Sequence, residues 1–333
     1  MKLDFVTCGI LQADSYYNPD VHTAVEAYNE GFSYFCKKVD EVKTPIFILN
    51  SIAPLFPYQY ANARRVSCDT WGSFNWTEYS MNALTAGWWT AGLYQFNDPD
   101  GVPLIGRGAQ SALTLGENRA RLTNAAITGM VLLADNLSKS NVSGQGNPTV
   151  SRKRAEHLFS NTESNALLGT GRTFKPVYGY KEYGGKADGA ENFAMLRTGD
   201  TLYVAVINYD SSSSLTGRLP LSLLGINGND CLSIRELWQC EEIGTPLLQD
   251  GEALLPYDVP AKDARIYRIT QKNTSLGQQL KTKGKQEGIQ SISHVSVFSP
   301  AGIPLDDISP EGLRVVKVLF ADGTFTTLKY AGK

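Results

Sequence analysis

Short apolar segments alternate with amphipathic ones along the first half of the chain. Residues 2–7, 46–49 and 130–133 are runs of apolar and β-branched residues, and such runs predict buried strands. Apolar residues recur at helical spacing from Val21 to Val39, which predicts an amphipathic helix that packs against a flat surface. Further strands are predicted at residues 65–69 and 93–96, and further helices at residues 77–90, 117–127 and 152–159.

Strands that are apolar on both faces and alternate with helices are typical of a parallel sheet. Acidic residues stand at or near the ends of several of these strands, namely Asp4, Asp69, Asp98 and Asp135. The carboxyl ends of the strands carry the active site in (β/α) barrels. We therefore predict an α/β fold in which residues 1–180 form part of a (β/α)8 TIM barrel, with about five strands where a closed barrel has eight.

The periodicity changes near residue 190. Short strand-like segments separated by Gly- and Asp-containing turns predict an antiparallel β-sandwich domain over residues 190–271. A polar segment rich in Gln, Lys and Gly predicts a linker at 272–290, and residues 291–333 predict a small β tail module. The strands predicted within the sandwich cover residues 193–196, 202–208, 219–223, 233–238, 253–255 and 264–269.

Composition excludes several classes of function. The net charge of −2 gives no basic footprint for nucleic acid, and no apolar run is long enough to span a membrane. The five cysteines are scattered and the three histidines are isolated, so the sequence predicts neither a disulfide framework nor a zinc site. We expect no cofactor, and the oligomeric state stays open.

Arg65 and Asp69 are the first candidates for chemistry. With three residues between them in an extended segment, their side chains are expected on the same face. A guanidinium and a carboxylate so placed can hold hydroxyls and move a proton, although a surface ion pair has the same pattern. A second acidic site, Lys2-Leu3-Asp4 at the start of the chain, favours the functional interpretation.

Taken together, these segments resemble the alpha-galactosidase (melibiase) group of glycoside hydrolases, the family 27 and 36 clan. Lys2-Leu3-Asp4 is similar to the Lys-x-Asp at the end of barrel strand four, whose Asp is the nucleophile. Arg65-x-x-x-Asp69 is similar to the Arg-x-x-x-Asp of strand six, whose Asp is the acid/base. Four further segments resemble the family in the same order, at residues 97–100, 132–137, 205–208 and 236–238.

The resemblance implies a retaining exo-glycosidase that acts on terminal alpha-galactosyl-type sugars of oligo- or polysaccharides. Retention requires two carboxyls about 5–5.5 Å apart. Asp4 would attack as the ionised nucleophile, with Lys2 holding it ionised. Asp69 would protonate the leaving oxygen, a role that needs a raised pKa. Arg65 would donate to sugar hydroxyls as a fork.

Three further features have two interpretations each. Trp71 is a candidate wall for a sugar subsite, or a core residue. Cys8 is a candidate pocket residue, or a buried inert thiol. Asp98 and Asp100 suggest a calcium loop, but turn capping is favoured because Pro99 and Gly101 already explain the acids.

The chain departs from the family pattern at two places. The family has barrel strands one to three before its Lys-x-Asp, so we expect an N-terminally truncated chain, and an inactive fragment with a carbohydrate-binding or accessory role is the alternative. Residues 51–54 lack the polar residue of common alpha-galactosidases, which leaves N-acetylgalactosamine or beta-L-arabinopyranose as alternative sugars. The resemblance also implies a secreted or periplasmic location.

Overall fold

The computed structural model describes residues 1–42, 45–70, 72–105, 113–138, 146–177, 190–226, 232–271, 292–298, 304–305, 312–320 and 325–332. The chain divides into two compact units, Met1–Gln271 and Lys272–Lys333. The predicted linker at 272–290 lies outside the described residues, as does Trp71. In the part of the chain that the structure describes, no helix is long and apolar enough to cross a membrane.

The first unit begins with a parallel four-stranded sheet, which confirms the predicted α/β class with a parallel sheet. Its strands follow the chain order β1-β2-β3-β4, and every neighbouring pair is parallel. A single parallel bridge joins Val102 to Leu133 beyond β4. The strands are β1 (Lys2–Leu3), β2 (Leu49–Asn50), β3 (Ala63–Arg65) and β4 (Phe96–Asp98), and the helices are α1 (Ala24–Val42), α2 (Asn75–Gly87), α3 (Leu115–Thr128), α4 (Pro148–Phe159) and α5 (Thr162–Leu168).

The strands of this sheet are shorter than the apolar pattern predicts. The predicted strand at residues 2–7 ends at Leu3, because Phe5 takes a left-handed φ of 54° and Val6–Ile10 continue as a 3₁₀-helix. The predicted strand at residues 65–69 is also wrong, since β3 ends at Arg65. Asp69 therefore lies in a loop, and alternation along a strand is not what places it near Arg65.

Helix α3 lies between the parallel sheet and the β-strands that follow. A capping box of Thr114 and Glu117 starts it, and Gly129 ends it with a left-handed φ of 79°. Its buried residues share one apolar core with α2 and with the second half of the unit, which fixes the two halves to each other. Members of this core include Met81, Leu84, Ala126, Phe174, Ile207 and Ile266.

Two antiparallel sheets form the second half of the first unit, as the change of periodicity predicts. Their strand orders are β10-β9-β13-β7-β6-β5 and β11-β12-β8, and residues from both sheets form a common apolar core. The predicted strand at 219–223 is wrong in part, because β8 ends at Pro220 and Leu221–Leu224 form a 3₁₀-helix. The strands are β5 (Lys175–Pro176), β6 (Phe193–Thr198), β7 (Thr201–Ile207), β8 (Leu215–Pro220), β9 (Leu232–Glu236), β10 (Glu241–Gly244), β11 (Leu247–Gln249), β12 (Glu252–Val259) and β13 (Ala264–Gln271).

The second unit contains one antiparallel sheet in the order β15-β14-β16-β17. Val316 and Val318 are fully buried on one face of it, as expected for a strand with one apolar side. These strands agree with the β structure predicted for residues 291–333. They are β14 (Ile292–Phe298), β15 (Pro304–Leu305), β16 (Gly312–Phe320) and β17 (Phe325–Gly332).

Candidate active site

Strand register places the first candidate residues on a common face of the parallel sheet. Lys2 is opposite Leu49, Leu49 is opposite Ala63, and Arg65 is opposite Asp98. Side chains alternate between faces along a strand, so Ala63 and Arg65 point the same way. Lys2, Arg65 and Asp98 therefore lie on one face, at or near the carboxyl ends of their strands.

The guanidinium of Arg65 is the centre of the site. Its Nε donates to Asp98 at 2.9 Å, one terminal nitrogen donates to Asp69 at 3.0 Å, and the other donates to Asp100 at 2.6 Å. Burial alone would lower the pKa of Arg65, but the charges of Asp98 and Asp100 and the hydrogen bonds to the carboxylates give a net increase. The arginine is thus a fixed cation shared by three acids.

The acids differ sharply in exposure. The side chain of Asp98 is fully buried, that of Asp100 is 23% exposed, and that of Asp69 is 58% exposed. Asp69 is therefore the carboxyl of this group that reaches solvent most freely. An exposed carboxyl in contact with a buried cation is suited to meet a ligand from the solvent side.

The loop after β3 is held by the turn after β4. Asp100 accepts from the backbone N–H of Thr70 at 2.7 Å, and Asp98 accepts from the backbone N–H of Asp100 at 2.8 Å. These bonds agree with turn capping, the favoured interpretation of the two acids. Among the described residues, no group of three His, Cys, Asp or Glu side chains is arranged to hold a metal ion.

Asp4 lies directly after β1 and stays partly open to solvent. Its carboxylate is 3.7 Å from the ammonium of Lys2, with both side chains 45% exposed. A hydrogen bond from the Ser51 side chain lowers the pKa of Asp4 most, and the Phe5 N–H and the charges of Lys2 and Arg65 lower it further, against a small opposing effect of burial. Asp4 is thus kept ionised, and it lies within the field of Arg65.

An open cleft of about 610 Å³ lies at this edge of the sheet. That volume is in the range of small-molecule sites. Its wall includes Thr7, Ser51, Ile52, Arg65, Cys68 and Asp69.

The backbone is strained at two positions beside this cleft. Ile52 has a φ of 46° and Phe5 a φ of 54°, values that are costly for bulky residues and occur most often at functional sites. The strained residues directly follow Ser51 and Asp4, so the backbone is bent where the candidate chemistry lies.

The structure brings together four of the six residues that the sequence singles out. Arg65 and Asp69 line the cleft, while Asp4, 3.7 Å from Lys2, interacts electrostatically with the cleft residues Ser51 and Arg65. Cys8 is exposed on the 3₁₀-helix Val6–Ile10, which contradicts the alternative of a buried thiol. The remaining residue, Trp71, lies outside the described part of the chain.

Sequence reasoning missed Ser51 and Cys68 as residues of the cleft. Ser51 directly follows β2, as Asp4 directly follows β1, so its position just beyond a predicted strand was a usable signal. Cys68 had no comparable signal, because it lies in a loop that the pattern predicts as strand. The contact between Asp98 and Arg65 could be predicted only from the order of the strands in the sheet, which local sequence patterns do not reveal.

No protein-family model and no curated protein sequence matches the chain. Among solved structures it is similar to the GH27 β-L-arabinopyranosidase of Geobacillus stearothermophilus, with a TM-score of 0.56 and 17% identity over 82% of this chain and 58% of that one. A variant of that enzyme in complex with arabinose gives a TM-score of 0.55 at 17% identity, over 81% of this chain and 58% of that one. The chain thus spans less than two thirds of the length of these structures, and the likeness concerns the fold alone.

Proposed function

We propose that the chain carries the active site of a retaining exo-glycoside hydrolase for terminal alpha-galactosyl-type sugars. The observation that carries the proposal is that Asp69, in the wall of the cleft, is hydrogen-bonded to Arg65, while the pKa of Asp4 is lowered partly by the charge of the same arginine. Glycoside cleavage uses such a pair of carboxyls on either side of the anomeric carbon.

The fold supports this proposal through the position of the strands. Strands β1 to β4 and the parallel bridge at Leu133 would correspond to strands four to eight of a (β/α)8 barrel. In such barrels the catalytic groups come from the carboxyl ends of different strands. The corresponding domain division is a catalytic part at 1–180, a β-sandwich at 190–271, a linker at 272–290 and a tail module at 291–333.

In the proposed mechanism Asp4 attacks the anomeric carbon and forms a covalent glycosyl ester. Asp69 gives its proton to the leaving oxygen, and then takes a proton from the water that cleaves the ester. Lys2 lies 3.7 Å from Asp4, so it stabilises the ionised nucleophile and can donate to a sugar hydroxyl. Each of the two displacements inverts the configuration at the anomeric carbon. The sugar that is first released therefore has the same anomeric configuration as the substrate.

The identity of the sugar is the finer part of the proposal. beta-L-Arabinopyranose has the ring configuration of alpha-D-galactopyranose without the hydroxymethyl group, so a site for one can be tested with the other. The apolar Ile52 and Ala53 line the cleft where a polar side chain would select further hydroxyls. N-Acetylgalactosamine is the third sugar to be compared.

The test measures hydrolysis of the 4-nitrophenyl glycosides of these three sugars by the wild-type chain and by Asp4→Asn and Asp69→Asn. We expect turnover of at least one glycoside, first release of the retained anomer by proton NMR, and loss of turnover in Asp4→Asn. Asp20→Asn, which changes an exposed aspartate away from the cleft, is the matched control and should keep the wild-type rate. Wild-type turnover in Asp4→Asn, or release of the inverted anomer, would contradict the mechanism.

A second candidate function is carbohydrate binding without turnover. It is favoured by the exposure of Asp4 and Asp69, at 45% and 58%, because a catalytic acid is usually tuned by burial. Calorimetric titration with the free sugars separates the two functions. Binding by the wild-type chain with no product after prolonged incubation supports the second candidate.

A further inference from the structure

Thr7 connects the loop after β1 to the loop after β2. Its backbone N–H and its hydroxyl both donate to the carbonyl oxygen of Ile52, at 2.8 and 2.5 Å. The two residues are 45 positions apart, and both line the cleft. A carbonyl oxygen has two lone pairs, so Thr7 satisfies the whole acceptor capacity of this group.

Each of the two loops bends through a residue with a left-handed backbone. The chain turns back after Asp4 because Phe5 has a φ of 54°, and the Cys8 N–H closes that turn on the Phe5 carbonyl at 2.9 Å. This turn places Thr7 against Ile52, whose own φ is 46°. Such a conformation is costly for a β-branched residue and persists only where surrounding contacts hold it. The two bonds from Thr7 are contacts of this kind, and they act on the strained residue itself.

Ser51 directly precedes the strained residue and carries the hydroxyl that reaches Asp4. Its backbone N–H donates to the Leu3 carbonyl at 2.8 Å, and the residue is 2% exposed. The hydrogen bond from its side chain is the largest of the effects that lower the pKa of Asp4. Ser51 and Ile52 share a peptide group, so a turn that relaxed at Ile52 would move the backbone that carries this hydroxyl.

We propose that Thr7 is a positioning residue: by holding the Ile52 carbonyl, it keeps the strained turn in place and the Ser51 hydroxyl within reach of Asp4. This inference rests on the proposed function for the meaning of Asp4 as the nucleophile. In this role Thr7 acts through Ser51 and touches no reacting atom.

The charged groups that act on Asp4 come from two strands. Lys2 on β1 lies 3.7 Å from its carboxylate, and Arg65 at the end of β3 adds a second positive charge. The Phe5 N–H also donates to Asp4 at 3.0 Å. A substitution of the Thr7 side chain removes none of these groups. A change in the titration of Asp4 in such a variant therefore reports the position of the Ser51 hydroxyl.

The test is a titration of Asp4 by NMR of aspartate labelled with ¹³C at the side-chain carboxyl, with the Asp4 signal identified by its loss in Asp4→Asn. Thr7→Val keeps the branched shape and the backbone N–H but removes the hydroxyl donor. Thr7 is exposed, so this variant should fold as the wild type does. We expect the Asp4 midpoint to rise toward the ordinary aspartate value, because the ionised carboxylate loses a hydrogen bond. Thr7→Ser keeps the hydroxyl and should restore the wild-type midpoint.

Two double variants separate positioning from a direct effect of Thr7 on Asp4. In Ser51→Ala the hydrogen bond to Asp4 is already absent, so the addition of Thr7→Val should not move the midpoint further. In Ile52→Gly the turn adopts its left-handed φ without strain and depends less on the Thr7 hydroxyl. Thr7→Val should therefore shift the midpoint less in that background than in the wild type.

The matched control is Thr216→Val, which changes an exposed threonine on β8 in the antiparallel half of the unit. It should leave the Asp4 midpoint unchanged. A wild-type midpoint in Thr7→Val overturns the inference. A shift of equal size with and without Ser51→Ala also overturns it, because Thr7 would then act on Asp4 by another route.

The titration needs no turnover, so its failure and the failure of the proposed function are distinguishable. Absence of hydrolysis by the wild-type chain would contradict the glycosidase, while the NMR midpoints would still decide the role of Thr7. In an active chain, the acid limb of the pH profile of kcat/KM should move to higher pH in Thr7→Val. A purely structural role would lower kcat/KM at every pH without moving that limb.

Discussion

Arg119 on α3 binds both carboxylate oxygens of Asp263, at 2.9 and 2.6 Å, across 144 positions of sequence. Asp263 stands just before β13 and also accepts from Arg265 at 3.0 Å. Since α3 belongs to the half that contains the parallel sheet, this pair connects the two halves of Met1–Gln271. The shared apolar core makes the same connection without charge.

We expect Asp263→Ala to lower the free energy of unfolding by about 3 kcal/mol, because it leaves two arginines without their nearly buried partner. Urea unfolding followed by tryptophan fluorescence and by circular dichroism measures the change. Both signals should move together, as expected if the two halves unfold as one unit.

The control for this prediction is Glu41→Gln, which breaks the ion pair with Lys38 in which both side chains are about half exposed. Little change in stability is expected there, because water screens exposed pairs. Equal stabilities of wild type and Asp263→Ala would contradict a structural role for the pair. Separate transitions for the two signals would contradict the single unfolding unit.

The fold was predictable from sequence where local signals and packing agree. Helix α3 combines a capping box at Thr114 and Glu117, an apolar pattern and a terminal Gly129, and its predicted bounds differ from the observed ones by at most two residues. Strands β6 and β7 alternate or run apolar between clear turns, and they were found as well. Such elements carry their own start and stop signals.

Long-range polar contacts were what the sequence did not reveal. The chain leaves β3 at Arg65 because the following loop is bound to Asp100, which lies 30 positions beyond Thr70. The contact between Arg65 and Asp98 likewise depends on β3 and β4 being neighbours. The candidate pair Arg65 and Asp69 was therefore correct in proximity, although the strand geometry first used for it was wrong.

Ser51 should control the acid limb of activity. The hydrogen bond of its side chain is the largest of the effects that lower the pKa of Asp4. Asp4 therefore stays ionised until the pH falls through that lowered value. In Ser51→Ala the pKa of Asp4 rises, and the acid limb of kcat/KM is expected to move to higher pH. Rates between about pH 3 and 7 on the best nitrophenyl glycoside measure the shift.

Ser67→Ala is the matched control for this prediction, because Ser67 also lines the cleft but is not among the groups that shift the pKa of Asp4. Its acid limb should coincide with that of the wild type. The prediction fails if Ser51→Ala keeps the wild-type limb, or if both serine variants shift it equally.

The loss of activity on removal of Asp69 should be larger for substrates whose leaving group needs a proton. A dinitrophenolate leaves without a proton, whereas a sugar alcohol needs one from the acid. We therefore expect Asp69→Ala to lower kcat/KM for a natural disaccharide by at least about 100-fold more than for a dinitrophenyl glycoside. Azide should restore turnover of the activated substrate in this variant and give a glycosyl azide of retained configuration.

Cys68→Ser provides the comparison, because Cys68 precedes Asp69 in the same cleft wall. Any effect of this change should be equal for both leaving groups. A uniform loss for both substrates in Asp69→Ala would remove Asp69 from the acid role and leave it a binding residue.

We expect Asp135 to have a structural role beyond β4, next to the parallel bridge between Val102 and Leu133. It accepts from the backbone N–H groups of Leu104 and Ile105, which are almost fully buried, and from the hydroxyl of Ser151 at 3.4 Å. Asp135→Ala leaves two buried N–H groups unsatisfied, and we expect a loss of about 2–4 kcal/mol in unfolding free energy. Asp135→Asn keeps one acceptor oxygen and should cost less.

The pH dependence of that stability has an unusual sign. Burial raises the pKa of Asp135 above the ordinary aspartate value, in spite of the three hydrogen bonds that lower it. Between the ordinary and the raised value, the folded chain binds a proton that the unfolded chain has released, so this group lowers stability as the pH rises. The difference in unfolding free energy between the wild type and Asp135→Asn, measured in urea across this window, should therefore decrease as the pH rises. A difference that increases with pH would show that the hydrogen bonds outweigh burial and that Asp135 is ionised in the folded chain.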